Sequence, residues 1–128
     1  MVGAYVYMEG MKIAANFLAN YGVFAPGLIQ SRFSRMGFYD ALVTGLSIGY
    51  GWSNYIEDCR FESNGIGLHT YNGGNNIDVV DSAFEGNTEI GFYAAAVSQI
   101  SISGCVLEGN GGAGVKGVLA VQSHDSSL

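Results

Sequence analysis

The chain has 128 residues, of which 48% are apolar and 12% charged, with a formal net charge of −6. That apolar share supports a packed core and excludes disorder, and the acidic balance excludes nucleic-acid binding through general basicity. No apolar run is long enough for a membrane span, and 20 glycines against one proline exclude collagen and proline-rich linkers. The length fits a single domain over residues 1–128. Met1 is not followed by a basic segment and an apolar stretch, so no signal peptide is expected.

An internal repeat organises the chain. Taken in order, a first unit is read at Met8-Glu-Gly-Met-Lys-Ile13, with Asn16 three residues on and then Gly22-Val23. Its stretch Met11 to Asn20 reads as a coil of the repeat, with an amphipathic capping helix as the competing reading. A second unit is read at Leu28-Ile-Gln-Ser-Arg-Phe33 with Phe33 as its anchor, which leaves about five extra residues for Thr44 to Asn54. Residues 1–53 are therefore the irregular part. Three clear units follow at Asn54 to Asn64, Ile77 to Asn87 and Ile100 to Asn110. Their anchors Phe61, Phe84 and Leu107 lie 23 residues apart. Each anchor precedes a glutamate, and an asparagine stands at the third position after it. Each unit runs on into Gly67-Leu68, Gly91-Phe92 or Gly114-Val115. Residues 54–117 form the regular part, and residues 118–128 a final strand and tail.

Within a unit the apolar residues alternate, as in Ile77-x-Val79 and Ile100-x-Ile102, and a period of two means strand. A unit of 23 residues has no room for a crossover helix and carries no two-residue hairpin signal. The chain is therefore expected to wind as an all-β solenoid of about five coils, each coil pairing in parallel with the next at roughly 4.8 Å.

The pattern Ile-x-Ile-x-(Asp/Gly)-(Cys/Ser)-x-(Phe/Leu)-x-x-Asn, followed by Gly-(Leu/Phe/Val), resembles the right-handed parallel β-helix of the pectin-lyase-like superfamily. The resemblance covers residues 54 to 117 well and 5 to 53 less well. It implies that Asn64, Asn87 and Asn110 stack as a ladder at one turn. The superfamily includes polysaccharide lyases, glycoside hydrolases, uronan epimerases, phage tailspikes and non-catalytic stalks. The resemblance therefore implies a carbohydrate-directed domain of a tailspike-like or extracellular polysaccharide-processing protein, or else a structural and oligomerising solenoid. A polysaccharide partner, an extracellular or virion-associated location, and either a homo-oligomer or flanking domains of a longer chain go with it. No nucleic acid and no membrane are expected as partners.

Stacking the units converts the repeat into columns of side chains. Cys59 and Cys105 fall in one column, two coils apart with Ser82 between them, and Met11 and Ser31 extend it. That separation is about 9–10 Å, too far for a disulfide, so two buried free thiols are expected. The column after the anchor reads Ala14, Ser34, Glu62, Glu85, Glu108, either a solvated acidic edge or a cation site. The column before the anchor reads Lys12, Arg32, Arg60, Ala83, Val106. Its cations could grip an acidic polysaccharide or pair with neighbouring glutamates. His69, Tyr93 and Lys116 form an outward column, with Tyr71 nearby. Together with Tyr50 and Trp52 these rings offer a sugar platform, unless Tyr50 and Trp52 pack their loop against the coil. His69 is a candidate general base, and Glu57, Asp58, Asp78 and Asp81 are candidate carboxylates for glycoside cleavage. Carbohydrate contacts are assigned to Tyr50, Trp52, Tyr71, Tyr93, Arg32 and Arg60. No dinucleotide fingerprint, P-loop or nucleophile elbow is present. No cofactor is expected, and no metal either. Only His69 and His124 could join the cysteines, and Gly73 to Asp78 is a distant echo of a calcium-binding repeat.

Overall fold

The computed structural model describes residues 5–72, 75–95, 97–118 and 123–124. Strands come in successive triplets. The first coil holds β1 (Tyr7–Glu9), β2 (Lys12–Ala14) and β3 (Tyr21–Ala25). The second holds β4 (Arg32–Ser34), β5 (Gly37–Tyr39) and β6 (Thr44–Gly49), and the third β7 (Trp52–Glu57), β8 (Arg60–Glu62) and β9 (Ile66–Tyr71). The fourth holds β10 (Asn75–Val80), β11 (Ala83–Glu85) and β12 (Ile90–Ala95), and the fifth β13 (Ile100–Ser103), β14 (Val106–Glu108) and β15 (Ala113–Val118). A last strand, β16 (Ser123–His124), follows.

Every pairing is parallel and joins one coil to the next. Sheet one runs β1-β4-β7-β10-β13-β16, sheet two β2-β5-β8-β11-β14 and sheet three β3-β6-β9-β12-β15. The result is a three-sided parallel solenoid, and no helix occurs among the described residues. Met11 to Asn20 is accordingly a coil, with β2 at its start and a turn behind it.

The inward columns make the core. Phe38, Phe61 and Phe84 are fully buried on sheet two. Their rings stack nearly parallel at 5.0 and 4.7 Å, which is the spacing of the coils themselves. Leu46, Leu68 and Phe92 line up on sheet three, and Phe33, Ile56, Val79 and Ile102 on sheet one. Burying each of these side chains contributes roughly 1.5–3 kcal/mol.

Two features hold the corners. The asparagine ladder joins sheet two to sheet three. Asn64, Asn87 and Asn110 each donate from Nδ2 to the carbonyl of an anchor one coil earlier, Phe38, Phe61 and Phe84, at 3.0, 3.0 and 2.9 Å. Each also accepts a backbone N–H at Oδ1, from Ala41, Asn64 and Asn87 respectively. The side chains link to one another at 3.2 and 2.9 Å. The ladder ends at Ala41, and Asn16 is an exposed turn residue rather than a further rung. Beside the ladder stands the glycine column Gly22, Gly45, Gly67. A Cβ on Gly67 would lie 2.5 Å from the Gly91 carbonyl and 2.9 Å from the Phe61 Cβ, so the coils close up only because none is there. At the corner between sheets one and two, Gly10, Arg35, Asp58, Asp81 and Gly104 share a left-handed backbone with φ of 50–67°.

The register of the first two coils differs from the sequence reading. Phe38, not Phe33, pairs with Phe61, and Phe33 faces the core from sheet one opposite Ile56. The interval of 23 residues therefore holds from Phe38 onward, and no five-residue insertion lies between Thr44 and Asn54. The extra length, two residues, sits in the first coil between β2 and β3, since Ile13 pairs with Phe38 while Val23 pairs with Leu46. Three columns change as a consequence. Met36 replaces Ser31 beside Cys59, Tyr39 replaces Ser34 above Glu62, and Gly37 replaces Arg32 above Arg60. Ser31 instead meets Asn54 at the third corner, where Asn54 Oδ1 accepts from Ser31 N–H at 3.0 Å and Nδ2 donates to the Leu28 carbonyl at 3.1 Å. This repeats the ladder's bonding with a single asparagine.

Cys59 and Cys105 are free and buried. Burial pushes the Cys59 thiol up to about 11, and the Cys105 thiol upward as well.

Candidate functional site: the outer faces of the solenoid

Because a parallel solenoid fills its interior with side chains, any site lies on its outer faces. The three sheets give three faces, and they divide the candidate residues between them.

Sheet three carries rings. Tyr93 pairs with His69 in register, and their rings stack at 4.8 Å and 5°. His69 also lies 5.0 Å from Tyr71 on its own strand. All three are half-buried, and burial holds the His69 imidazole below its ordinary 6.5, so it is neutral near pH 7. Lys116 continues the column by backbone pairing with Tyr93, but its side chain lies outside the described residues. The Tyr71 ring lies against Gly49, where an added Cβ would come within 2.8 Å of it. The Tyr50 N–H donates to the Tyr71 carbonyl at 2.7 Å, which draws the next corner up to this strand. There the Tyr50 and Trp52 rings sit 6.4 Å apart, exposed by 38% and 42%. The rings thus form two groups, Tyr93, His69 and Tyr71 on sheet three and Tyr50 and Trp52 at its corner, joined by the backbone hydrogen bond from Tyr50 to Tyr71; together they make the ring band.

Sheet one carries an ion pair. Arg32 lies on this sheet in register with Tyr55, with its guanidinium 4.9 Å from the centre of that ring. The same guanidinium meets Glu57 at 2.5 Å. Asp78 follows Tyr55 one coil later. Arg32 therefore belongs neither to a cationic column with Arg60 nor to the ring band.

Sheet two carries Lys12, Arg60, Glu62, Glu85 and Glu108. Arg60 stands 3.5 Å from both Glu62 and Glu85, so the stacked glutamates are bridged by a cation in their midst. Asp58 and Asp81 occupy the corner column one coil apart, and both line an open groove of about 660 Å³ over this sheet. The groove also takes in Lys12, which the column reading placed with Arg60, and Arg35 and Tyr39, which it passed over. The available signal was the spacing from Phe38 to Phe61, which puts Tyr39 in the glutamate column.

The carboxylate candidates gather on sheet one and its corner with sheet two, where Asp58 and Asp81 stand one coil apart, while the histidine lies elsewhere. His69 shares no face with Glu57, Asp58, Asp78 or Asp81, and Glu57 is tied to Arg32. Among the described residues no cluster of histidine, cysteine and carboxylate ligands could hold a metal ion. Gly73 and Gly74, which open the distant calcium-repeat echo, lie outside the described residues, as does the side chain of His124.

No curated protein and no solved structure matches the chain. A family model described as a right-handed β-helix region matches residues 3–120, nearly the whole length. With that match and the three-sided parallel coil in place, the chain belongs to the right-handed β-helix family.

Proposed function

We propose that this chain is a carbohydrate-binding β-helix of a tailspike-like or other extracellular polysaccharide-directed protein, and that it binds glycan without cleaving it. The observation that carries this reading is the ring band. Sugar rings present apolar faces about the size of an aromatic side chain, and aromatic platforms edged by polar groups recognise them. Tyr50 and Trp52 offer exposed rings at one corner of a rigid rod, beside the His69–Tyr93 stack whose spacing is fixed by coil-to-coil pairing. His69 lies on a different face from the candidate carboxylates, which supports binding rather than cleavage by a histidine–carboxylate pair, because general acid–base work needs its groups within reach of one bond.

A second reading, a structural and oligomerising solenoid, draws on a different observation. Phe17, Leu18, Tyr21, Phe24, Leu42 and Val43 are exposed large apolar side chains of the first two coils, suited to contact with another copy or a flanking domain. The two readings are compatible, since a tailspike-like protein needs both surfaces.

The test is a panel of immobilised bacterial and plant polysaccharides, probed with the parent chain and with Trp52→Ala and Tyr93→Ala. Retention of the parent on at least one glycan, weakened about fivefold or more by either substitution, is the expected outcome. A parent chain that no glycan retains, or variants that bind like the parent, would overturn the proposal.

A further inference from the structure

The groove over sheet two has a composition unlike the rest of the surface. The chain has five lysines and arginines in all, and three of them, Lys12, Arg35 and Arg60, line this one groove. Its floor follows from the register. Along the column Lys12, Gly37, Arg60, Ala83 the second and fourth positions lack a long side chain, so a hollow opens between the two cations. The Tyr39 ring folds back across Gly37, leaving no room there for a Cβ. The Lys12 ammonium rests 4.7 Å from the centre of that ring.

These cations are loosely held. Arg60 keeps 3.5 Å from both of its glutamates and is about half exposed, and such surface pairs contribute roughly 0–1 kcal/mol. Lys12 has no carboxylate partner among the described residues, only the tyrosine face. Arg35 pairs with Glu9 at the groove edge. The Lys12 ammonium over the Tyr39 ring, with Arg60 one coil beyond Gly37, suits a ligand that packs beside the ring and turns an anionic group to the cations. The opposite wall limits the charge such a ligand can carry. Asp58 and Asp81 stand one coil apart along the corner and would repel a second anionic group, while their oxygens accept hydrogen bonds from sugar hydroxyls.

We infer that the sheet-two groove is a second carbohydrate subsite, which takes a saccharide with isolated anionic groups, a carboxylate or sulfate on one sugar flanked by neutral sugars. Tyr39 is the ring the saccharide packs beside, Lys12 and Arg60 are its anion contacts, and Asp58 and Asp81 are the groups that reject a continuous polyanion. The inference rests on the carbohydrate reading of the chain but uses a face that shares no residue with the ring band.

The test measures binding of four oligosaccharides to the full chain. Hyaluronan has a carboxylate on every second sugar, kappa-carrageenan a sulfate on every second sugar, polygalacturonate a carboxylate on every sugar, and dextran no charge. The expected result is binding of hyaluronan or kappa-carrageenan in preference to the other two, which also tells carboxylate from sulfate recognition. Lys12→Gln and Arg60→Gln should each weaken that binding about tenfold, with unchanged melting temperature because both side chains are exposed. Equal binding of dextran, tighter binding of polygalacturonate, or Gln variants that bind like the parent would overturn the groove as a subsite. Glycan binding that depends on Trp52 but on neither cation would overturn it and leave the carbohydrate reading standing. Failure of every glycan would overturn both.

Discussion

Asn87 makes four hydrogen bonds with one side-chain amide. Nδ2 donates to the Phe61 carbonyl and to Asn110 Oδ1, and Oδ1 accepts from the N–H of Asn64 and from its Nδ2. Removing the amide takes these bonds from the Phe61 carbonyl and the Asn64 N–H of the third coil and breaks the ladder on both sides. Asn87→Ala should therefore cost about 1–3 kcal/mol in a denaturant titration, and a loss under a few tenths would show that the ladder is ornamental. Asn64, Asn87 and Asn110 were legible from the sequence because their spacing repeats without a break. Asn54 was not, since nothing marks it as a rung except the Leu28 carbonyl and the Ser31 N–H that the fold brings to it. Cys59 supports a pH prediction. Its thiol is held up to about 11 by burial, against an ordinary value of 9.0. The neutral thiol is the form the fold prefers, so this contribution to stability is complete below about pH 9 and is lost as pH rises toward 11. In the native chain both cysteines should resist a thiol reagent at pH 8, and both should react once the chain is denatured without reductant. Rapid labelling of the native chain would contradict their burial.

At the scale of the strand and its corner, two glycines separate two kinds of constraint. Gly67 stands where an added Cβ would come 2.5 Å from the next coil's carbonyl, whereas Gly86 has a left-handed φ of +59° with nothing within 4 Å of that point. Gly67→Ala should cost about 1–3 kcal/mol or more through overpacking. Gly86→Asn should stay within about 0.5 kcal/mol, because asparagine enters the left-handed region readily and Ser63 already does so in the same corner column. Comparable losses in thermal unfolding would show that backbone conformation, not coil contact, sets both positions. The same scale explains where the register slipped. Ser31-Arg32-Phe33 imitates Cys59-Arg60-Phe61, while the true counterpart Met36-Gly37-Phe38 has Met36 at the small-residue position and Ala41 in place of the ladder asparagine. Both phenylalanines are fully buried, on adjoining sheets, so the apolar pattern does not tell them apart. In the last three coils the markers are intact, and the pairing of His69 with Tyr93 and of Phe61 with Phe84 follows the repeat.

For the molecule as a whole, the repeat made the architecture readable and left the sites half readable. Column membership tells which residues stack, so the ring column of sheet three could be read from positions 69 and 93. Which face a column lies on depends on the corners, and the misplaced anchor moved Arg32 onto the wrong face and hid Tyr39 and Arg35. The first two coils also expose Leu18 by 86%, Phe17 by 54%, Phe24 by 53% and Leu42 by 51%. Apolar side chains gathered there favour association. Light scattering should find a species heavier than the 13.5 kDa chain, and Leu18→Lys combined with Leu42→Lys should shift it toward that mass. A stable monomer of the parent at tens of micromolar would remove the oligomerising reading.

Trp52 is the chain's single tryptophan and stands in the ring band, so its fluorescence reports directly on that surface. Titrating the unmodified chain with the polysaccharide panel while assaying the same samples for new reducing ends and unsaturated sugars tests binding and cleavage together. The account predicts a saturable change in Trp52 emission with at least one glycan and no products. An emission spectrum that no glycan changes, or products that accumulate in proportion to the protein, would contradict it.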